Sequence, residues 1–498
     1  MDVHSVDART GTSRGVVATE TTAADLDRCC SAALAAGDDW ETWPRRERAA
    51  VLDAFASVIE ADAPRLVAEA DAETALGITR LSGEIARTTN QLRFFAEVVR
   101  EGTYLAIAID HARADVVPPR PDLRRRMVPI GPVAVFAAGN FPFAFSVAGG
   151  DTASCLAAGC SVVVKAHPGH PATSIAVHRL LSDVLAEHDA PGVVSLVHGV
   201  EAGTALVGHS AIRAASFTGS LRGGRALAAI AACRTDPIPF YGEFGSVNPV
   251  VVTAAAAAER GEQIGTGLAT SATLSGGQFC TKPGVWLIPQ GPAGDVVMAA
   301  AASALVAAGP VVLLNDRTAA AYVDQSTRLR ADDRTTVRAV TPTSTAGRAV
   351  SPLLLEVAAG AVDGLLLEEC FGPAAVAARY ADTAEVDRVL AAVGGSLTAT
   401  IHRGAGEDVT SLTARLTRLA GRVVFDGYPT GVGVSWSMTH GGPWPATSLP
   451  GTSVGARAID RFLRPVTLQD APAHVLPDEL RDDASDVPRR VDGVFAPR

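Results

Sequence analysis

From residue 131 onward the chain alternates short apolar runs with amphipathic stretches, and that alternation leaves few folds open. "GPVAVFAAG" (131–139) reads as a buried strand ending in Gly, and "FSVAGGDTASCLAAG" (145–159) as a helix of small residues. "CSVVVKAHP" (160–168) is a second strand, and "PATSIAVHRLLSDVLAEH" (171–188) a second, amphipathic helix. "GVVSLVHG" and "IRAASFTGS" continue the pattern. Strand–helix–strand units of this length predict an α/β class with a parallel, doubly wound sheet covered by helices. A second alternating region, roughly 246–440, predicts a second α/β domain. Residues 20–110 have apolar positions at three- and four-residue spacing and read mainly as helices. The Pro- and Arg-rich segment 112–130 reads as an exposed hairpin. "RFLRPVTLQDAP" (461–472) reads as a lone late strand that adds to a sheet elsewhere, another subunit's included, and 473–498 as charged surface wrapping.

Composition narrows the function classes. The chain has 498 residues, 48% of them apolar, enough for a large core and two or three domains. A net charge of −10 without a basic stripe argues against a nucleic-acid partner. "VVMAAAASALVAAGPVVLL" (296–314) is broken by Gly309-Pro310 and reads as a buried Ala-rich helix and a strand, so no membrane span is expected. The N-terminus lacks an apolar signal core. Seven scattered cysteines form no disulfide framework and no CxxC pair, and no His cluster has metal-ligand spacing, so no metal is expected. These features place the protein in a reducing cytoplasm.

Several residues stand out chemically. Cys280, in "SGGQFCTKPG" (275–284), is the one thiol on a glycine-flanked turn, where backbone amides approach it closely. Glu243, in "PFYGEFGSVNP", is an isolated carboxylate in an aromatic setting, either a general base or a turn cap. Asn140 follows a strand end and can serve as an oxyanion donor. "FTGSLRGG" (217–224) opens a helix whose amides can meet a phosphate, or is simply a structural turn. Lysine occurs only at Lys165 and Lys282, in a chain otherwise reliant on arginine. Lys165 ends a strand, where open sheets bind ligands or where a lysine is merely solvated. Glu368 and Glu369 precede an apolar turn.

In this order, "GNFPFAFS", "VVVKAHP", "FTGS", "GEFGSVNP", "GGQFC" and "EECFGP" resemble the aldehyde dehydrogenase superfamily over nearly the whole chain. "FCTKPG", "GYPTGV", "HGGPWPAT" and "RFLRPVTLQDAP" are similar to its α-ketoglutarate semialdehyde dehydrogenases, whose near relatives are NADP-linked bacterial enzymes. The resemblance implies a Rossmann-like cofactor domain (1–111 and 131–244), a catalytic domain (245–455), a small β oligomerisation flap (112–130 and 456–472) and a C-terminal tail (473–498). It implies Cys280 as nucleophile, Glu243 as base for water and Asn140 as oxyanion donor. The cofactor would lie against Lys165, His167 and Pro168, against Phe217, Thr218, Gly219, Ser220 and Gly224, and against Glu369 and Phe371. The implied reaction is NAD(P)-dependent oxidation of 2,5-dioxopentanoate to 2-oxoglutarate through a thioester, by a homodimer or homotetramer. Oxidation of longer aliphatic or aromatic aldehydes, or a non-catalytic homologue, are the alternatives.

The departures from the family pattern are informative. Lys282 stands where the family usually has Asn, and could lower the Cys280 pKa or point outward. The separation from Glu243 to Cys280 is 280 − 243 = 37 residues, slightly long for the family. Pro168 replaces an acidic residue of NAD-selective members, which leans the choice to NADP. Glu201, in "HGVEAG", supplies no arginine for a 2′-phosphate. On the helix "GEIARTTNQLRFFAEVV" (83–99), Arg87 and Gln91 share a face along the implied aldehyde tunnel. Arg87 would fork a substrate carboxylate, or else pair on the surface with Glu84 or Glu97. Phe141 completes the substrate side.

Overall fold

The computed structural model describes residues 1–341, 348–484 and 486–497; of the tail expected at 473–498, residues 485 and 498 therefore lie outside the description. Five strands build the first sheet: β1 (Val133–Phe136), β2 (Val162–Lys165), β3 (Val194–Val197), β4 (Ala214–Thr218) and β5 (Phe240–Glu243). All are parallel, in the order β3-β2-β1-β4-β5. Helices cover both faces, so β1 is buried along its whole length and reads as a continuous apolar run. The order reverses between β1 and β4, and the carboxyl ends of these strands frame the crevice where such sheets bind ligands.

Four helices from 23 to 101 pack against this sheet, as the periodicity predicts. The last, α1 (Ile78–Glu101), buries Ile85, Leu92, Phe95, Val98 and Val99, and stops at Gly102 in the left-handed conformation (φ 86°). After β1 comes α2 (Gly150–Ala158), buried on every side, which only small residues allow. After β4 comes α3 (Leu221–Cys233). The N-terminal residues form a hairpin, Asp2–Val6 with Ser13–Thr19.

The second sheet has seven strands: β6 (Val250–Val252), β7 (Val285–Pro289), β8 (Thr336–Val340), β9 (Leu353–Ala358), β10 (Ala374–Tyr380), β11 (Ser396–His402) and β12 (Ala420–Phe425). The order is β8-β9-β10-β7-β6-β11-β12, parallel except for β8 against β9. All seven residues of β10 and of β11 are buried. The long helix α4 (Ala254–Thr273), kinked at Arg260, leads into the turn that carries Cys280.

A third, five-stranded sheet stands apart. Leu463–Gln469 pairs antiparallel with Leu123–Pro129, which pairs with Ile107–Asp110. The late strand thus finds its partner within its own chain. The C-terminal segment, expected as surface wrapping, adds Arg489–Val491 beside Ile107–Ile109 and Val494–Ala496 beyond it. Arg461, just before the late strand, forms a buried ion pair with Asp151 of α2 at 2.6 Å. Ser216 of β4 donates to the same carboxylate at 2.8 Å, so the small sheet is anchored to the first domain. Among the described residues no helix is long and apolar enough to cross a membrane.

Candidate active site

Cys280 lies where the two large domains meet. A short helical turn, Leu274–Gly277, turns the chain sharply after α4, with Gly276 and Gly277 both at φ 67°. A Cβ on Gly277 would come within 2.3 Å of the Gly372 carbonyl carbon, so the "EECFGP" turn packs directly on the nucleophile turn. The buried amide of Asn248 fastens this region: Nδ2 donates to the Cys280 carbonyl at 2.7 Å and to that of Lys282 at 2.9 Å, while Oδ1 accepts the Thr398 N–H at 3.1 Å.

Three groups converge on the thiol side. His440 Nε2 lies 3.5 Å from Cys280 Sγ and 3.1 Å from Glu243 Oε1. Ser453 donates to the other Glu243 oxygen at 2.7 Å. His440 and Ser453 sit on one loop, joined by the Ser453 N–H to the His440 carbonyl at 2.8 Å. Burial pushes the Cys280 thiol well above its ordinary pKa, and the negative Glu243 pushes it further. Burial also works to raise Glu243, but the His440 ring and the Ser453 hydroxyl outweigh it and hold the carboxyl below its ordinary value. A single imidazole nitrogen therefore stands between a thiol that resists ionisation and a carboxylate that favours it. Asn140 reaches the same turn, donating to the Gln278 carbonyl at 2.8 Å.

On the substrate side, α1 presents Arg80, Glu84, Arg87 and Gln91, spaced four, three and four residues apart and so on one face. Glu84 accepts the N–H groups of Phe143 and Ala144 (2.8 and 3.0 Å) and faces Arg80 at 3.6 Å. Arg80 donates to the Asn140 carbonyl and lies over the Phe141 ring at 4.8 Å. Phe141 also packs edge-on against Phe279, beside the nucleophile, at 5.2 Å. Arg87 makes no ion pair with Glu84 or Glu97. It lies 5.1 Å above the Phe145 ring, touches the Val432 carbonyl only at 3.4 Å, and leaves Nη1 buried without a partner. Its charge is felt first by Glu84 and then at Cys280 and Glu243. Gln91 is buried against Gly150 with both amide atoms unpartnered.

Of the other candidates, Lys165, Phe217 and Thr218 stand at the carboxyl ends of first-sheet strands, while Glu369 and Phe371 lie in the turn before β10. Lys165 ends β2, half-buried, with its pKa lowered to about 8 by burial. His167 accepts the Gly169 N–H at 3.1 Å and stacks on His170, and burial holds its pKa well below the ordinary value; Pro168 is exposed beside it. Phe217 and Thr218 end β4, Gly219 follows, and Ser220 caps α3 by accepting the Gly223 N–H at 3.3 Å. Gly224 serves packing: a Cβ there would lie 1.9 Å from the Phe244 ring, so the glycine lets α3 settle on β5. Glu369 lies against Gly245, with its pKa raised to about 7 by burial despite the pull of Lys282 and the Ser246 N–H. Phe371 is half-buried in the same turn. Lys165 and the start of α3 supply a cation and helix amides at the carboxyl ends of the first sheet, where open α/β sheets bind ligands. Lys282 does not point outward: it is buried, its ammonium donates to the Ala374 carbonyl at 2.7 Å, and its charge is felt by Glu369 and Cys370.

The aldehyde dehydrogenase family model matches residues 2–465. The chain belongs to the aldehyde dehydrogenase family. This aldehyde dehydrogenase is 46% identical over 486 residues to alpha-ketoglutaric semialdehyde dehydrogenase 2 of Azospirillum brasilense, spanning 94% of this chain and 91% of that protein. It is 40% identical over 502 residues to alpha-ketoglutaric semialdehyde dehydrogenase of Acinetobacter baylyi, spanning 99% and 95%. The solved structure of 1-pyrroline-5-carboxylate dehydrogenase from Thermus with bound NAD shares the fold, with a TM-score of 0.81 at 21% identity over 94% of this chain and 90% of that one. As a family member the protein is an aldehyde-oxidising enzyme that uses NAD(P).

Sequence reasoning for this aldehyde dehydrogenase missed four residues: His440, Ser453, Asn248 and Arg422. The motif "HGGPWPAT" is visible, but nothing local ties His440 to a carboxylate 440 − 243 = 197 residues away. Arg422, on β12, donates to the carbonyls of Gly431 and Pro429, leaves Nε buried without a partner, and also feels Cys280. Linear spacing showed no metal-ligand cluster; the fold nevertheless brings ligand atoms of Glu243, Cys280 and His440 within 4.8 Å of one another.

Titration of Glu369 through about pH 7 has a consequence for cofactor binding. The ionised carboxylate accepts hydrogen bonds from sugar hydroxyls more strongly than the neutral acid does. Apparent dinucleotide affinity is expected to rise as pH increases through about 7, and Glu369→Gln to flatten that rise. Fluorescence titration across this range checks it; an equal pH dependence in the variant contradicts it.

Proposed function

We propose that this enzyme oxidises 2,5-dioxopentanoate to 2-oxoglutarate, with NADP favoured over NAD. The observation that carries the substrate is Arg87, a guanidinium with no ion pair and a buried, unbonded nitrogen among the described residues, whose charge reaches Glu84 first and then the Cys280 and Glu243 side chains. A guanidinium so placed suits the far carboxylate of a short dicarbonyl acid. The two relatives named as alpha-ketoglutaric semialdehyde dehydrogenases support the same substrate. Pro168 in place of an acidic residue supports NADP.

The chemistry begins at Cys280, because only a thiolate attacks an aldehyde carbon. His440 Nε2 passes its proton to Glu243 as it takes the thiol proton, and Glu243 gives that proton to solvent before the second half-reaction, which frees the carboxylate to act again as a base. Asn140 and the Cys280 N–H hold the resulting oxyanion, each such donor worth about 3–4 kcal/mol. A bound nicotinamide supplies the hydride acceptor. Glu243, oriented by Ser453, then activates the water that hydrolyses the Cys280 thioester.

The small sheet has an unpaired outer edge at Leu463–Gln469 and an exposed opposite edge with Val494 and Phe495. Such edges recruit a further strand, which supports a homodimer or homotetramer. All seven cysteines are free, in keeping with a reducing cytoplasm.

In steady-state assays with each cofactor, Arg87→Ala is expected to raise KM for 2,5-dioxopentanoate at least tenfold, sparing uncharged aldehydes of similar length, with kcat/KM higher for NADP. Equal effects on both aldehydes remove Arg87 from carboxylate recognition. His440→Ala is expected to slow the pre-steady-state burst of reduced cofactor by about 10²-fold, the low end for a general base, with KM little changed. An unaltered burst shows that the thiol loses its proton elsewhere. Light scattering is expected to give a mass at least twice 51.1 kDa, and a monomer at micromolar concentration argues against assembly through the sheet edge.

A further inference from the structure

The catalytic thiol, imidazole and carboxylate do not form a linear relay, in which the two ring nitrogens of the histidine face opposite partners. Here one nitrogen, His440 Nε2, is the near neighbour of both Cys280 Sγ (3.5 Å) and Glu243 Oε1 (3.1 Å), and the three ligand atoms all lie within 4.8 Å of one another. These separations can be compared with a metal polyhedron. For zinc with Zn–S of about 2.3 Å and Zn–N and Zn–O of about 2.0–2.1 Å at tetrahedral angles, the edges are about 3.6 Å from S to N and about 3.3 Å from N to O. The two edges that meet at His440 Nε2, 3.5 and 3.1 Å, fall within about 0.2 Å of these values, and the sulfur-to-oxygen edge lies within 4.8 Å.

We propose that Cys280, His440 and Glu243 form a preorganised inhibitory site for a thiophilic divalent cation, zinc above all, with the fourth position left for water. Soft sulfur, imidazole and one carboxylate select zinc-like ions over magnesium or calcium, which require oxygen shells. The ligands are held before any ion arrives. Ser453 fixes the Glu243 carboxylate at 2.7 Å, as second partners do around metal-binding carboxylates, and Asn248 fixes the backbone on both sides of the thiol. His440 and Glu243 are almost wholly buried, while Cys280 is half-buried and offers the way in. On binding, a metal–sulfur bond forms, the thiol proton leaves to solvent, and no electron is transferred. The ion takes the nucleophile's lone pair, the proton carrier and the water-activating base at once, so occupancy stops the reaction and a chelator restores it.

The test uses the reduced, full-length enzyme and two metals. Zinc is expected to abolish aldehyde-dependent cofactor reduction at one ion per chain, with full recovery on EDTA. Cobalt(II), added without aldehyde or dinucleotide, is expected to give a sulfur-to-cobalt charge-transfer absorption that saturates at the same stoichiometry. That optical signal does not depend on which aldehyde is the substrate, so its failure is distinct from failure of the functional reading. Cys280→Ser should lose the absorption, and His440→Ala should weaken cobalt affinity about 10–100-fold. Ser453→Ala, which keeps all three ligands, serves as a milder variant should either fold poorly, and should weaken affinity measurably. The proposal is overturned if the absorption survives in Cys280→Ser, if His440→Ala binds cobalt as tightly as the native enzyme, or if zinc inhibition needs several ions per chain.

Discussion

The side-chain amide of Asn248 holds together the part of the molecule on which everything else depends. It ties the segment between β5 and β6 to the turn that carries Cys280 and to β11, through bonds to the carbonyls of Cys280 and Lys282 and from the N–H of Thr398. A tight turn with three consecutive residues at positive φ, Ser275 to Gly277, carries local strain and persists only where its surroundings fix it. Asn248 supplies that fixation in a dry interior, where each group left unpaired costs about 1–3 kcal/mol. The Gly277–Gly372 contact adds a steric wall on the other side. The sulfur is thus fixed by backbone geometry, leaving its reactivity to be set by the charges around it.

Those charges are arranged in two groups with different purposes. Behind the thiol, His440 and Glu243 share one proton site, and the carboxylate stays ionised because its neighbours outweigh its burial. On the aldehyde side, α1 brings a ladder of polar residues into an otherwise apolar contact with the Phe141–Phe145 loop. Glu84 accepts the N–H groups of Phe143 and Ala144 with one oxygen and turns the other toward Arg80, and Arg80 stacks on aromatic rings and bonds the Asn140 carbonyl. Both therefore shape the loop that carries Asn140. Among the described residues all four members of this ladder leave a buried polar atom without a hydrogen bond, and Gln91 leaves both of its amide atoms so. Lys282 illustrates the opposite case: a buried cation with its own carbonyl partner, tied to the Glu369 turn.

Much of this was legible in the order of residues. The doubly wound sheet followed from the alternation of apolar runs, because strands buried on both faces must read as continuous Val, Ala and Ile. Cys280 was singled out by its glycines, and Arg87 by its place on an amphipathic face. Gly224 was read as a cofactor residue; that it also makes room for the Phe244 ring shows only in the fold. Lys282 could not be oriented from its neighbours. The terminal strands near 490 and 495 were read as surface because three-residue strands have too few positions to show an alternation.

What the sequence by itself determined is the set of local elements and the reactive groups each carries, since periodicity, turns and caps act over a few residues. Only the tertiary structure decided which of those groups meet. The Cys280–His440–Glu243 convergence joins three segments far apart in the chain, through a loop that folds back so that Ser453 and His440 bond each other. Side-chain proximity of that kind depends on packing between domains, and no local pattern of residues encodes a distance across them.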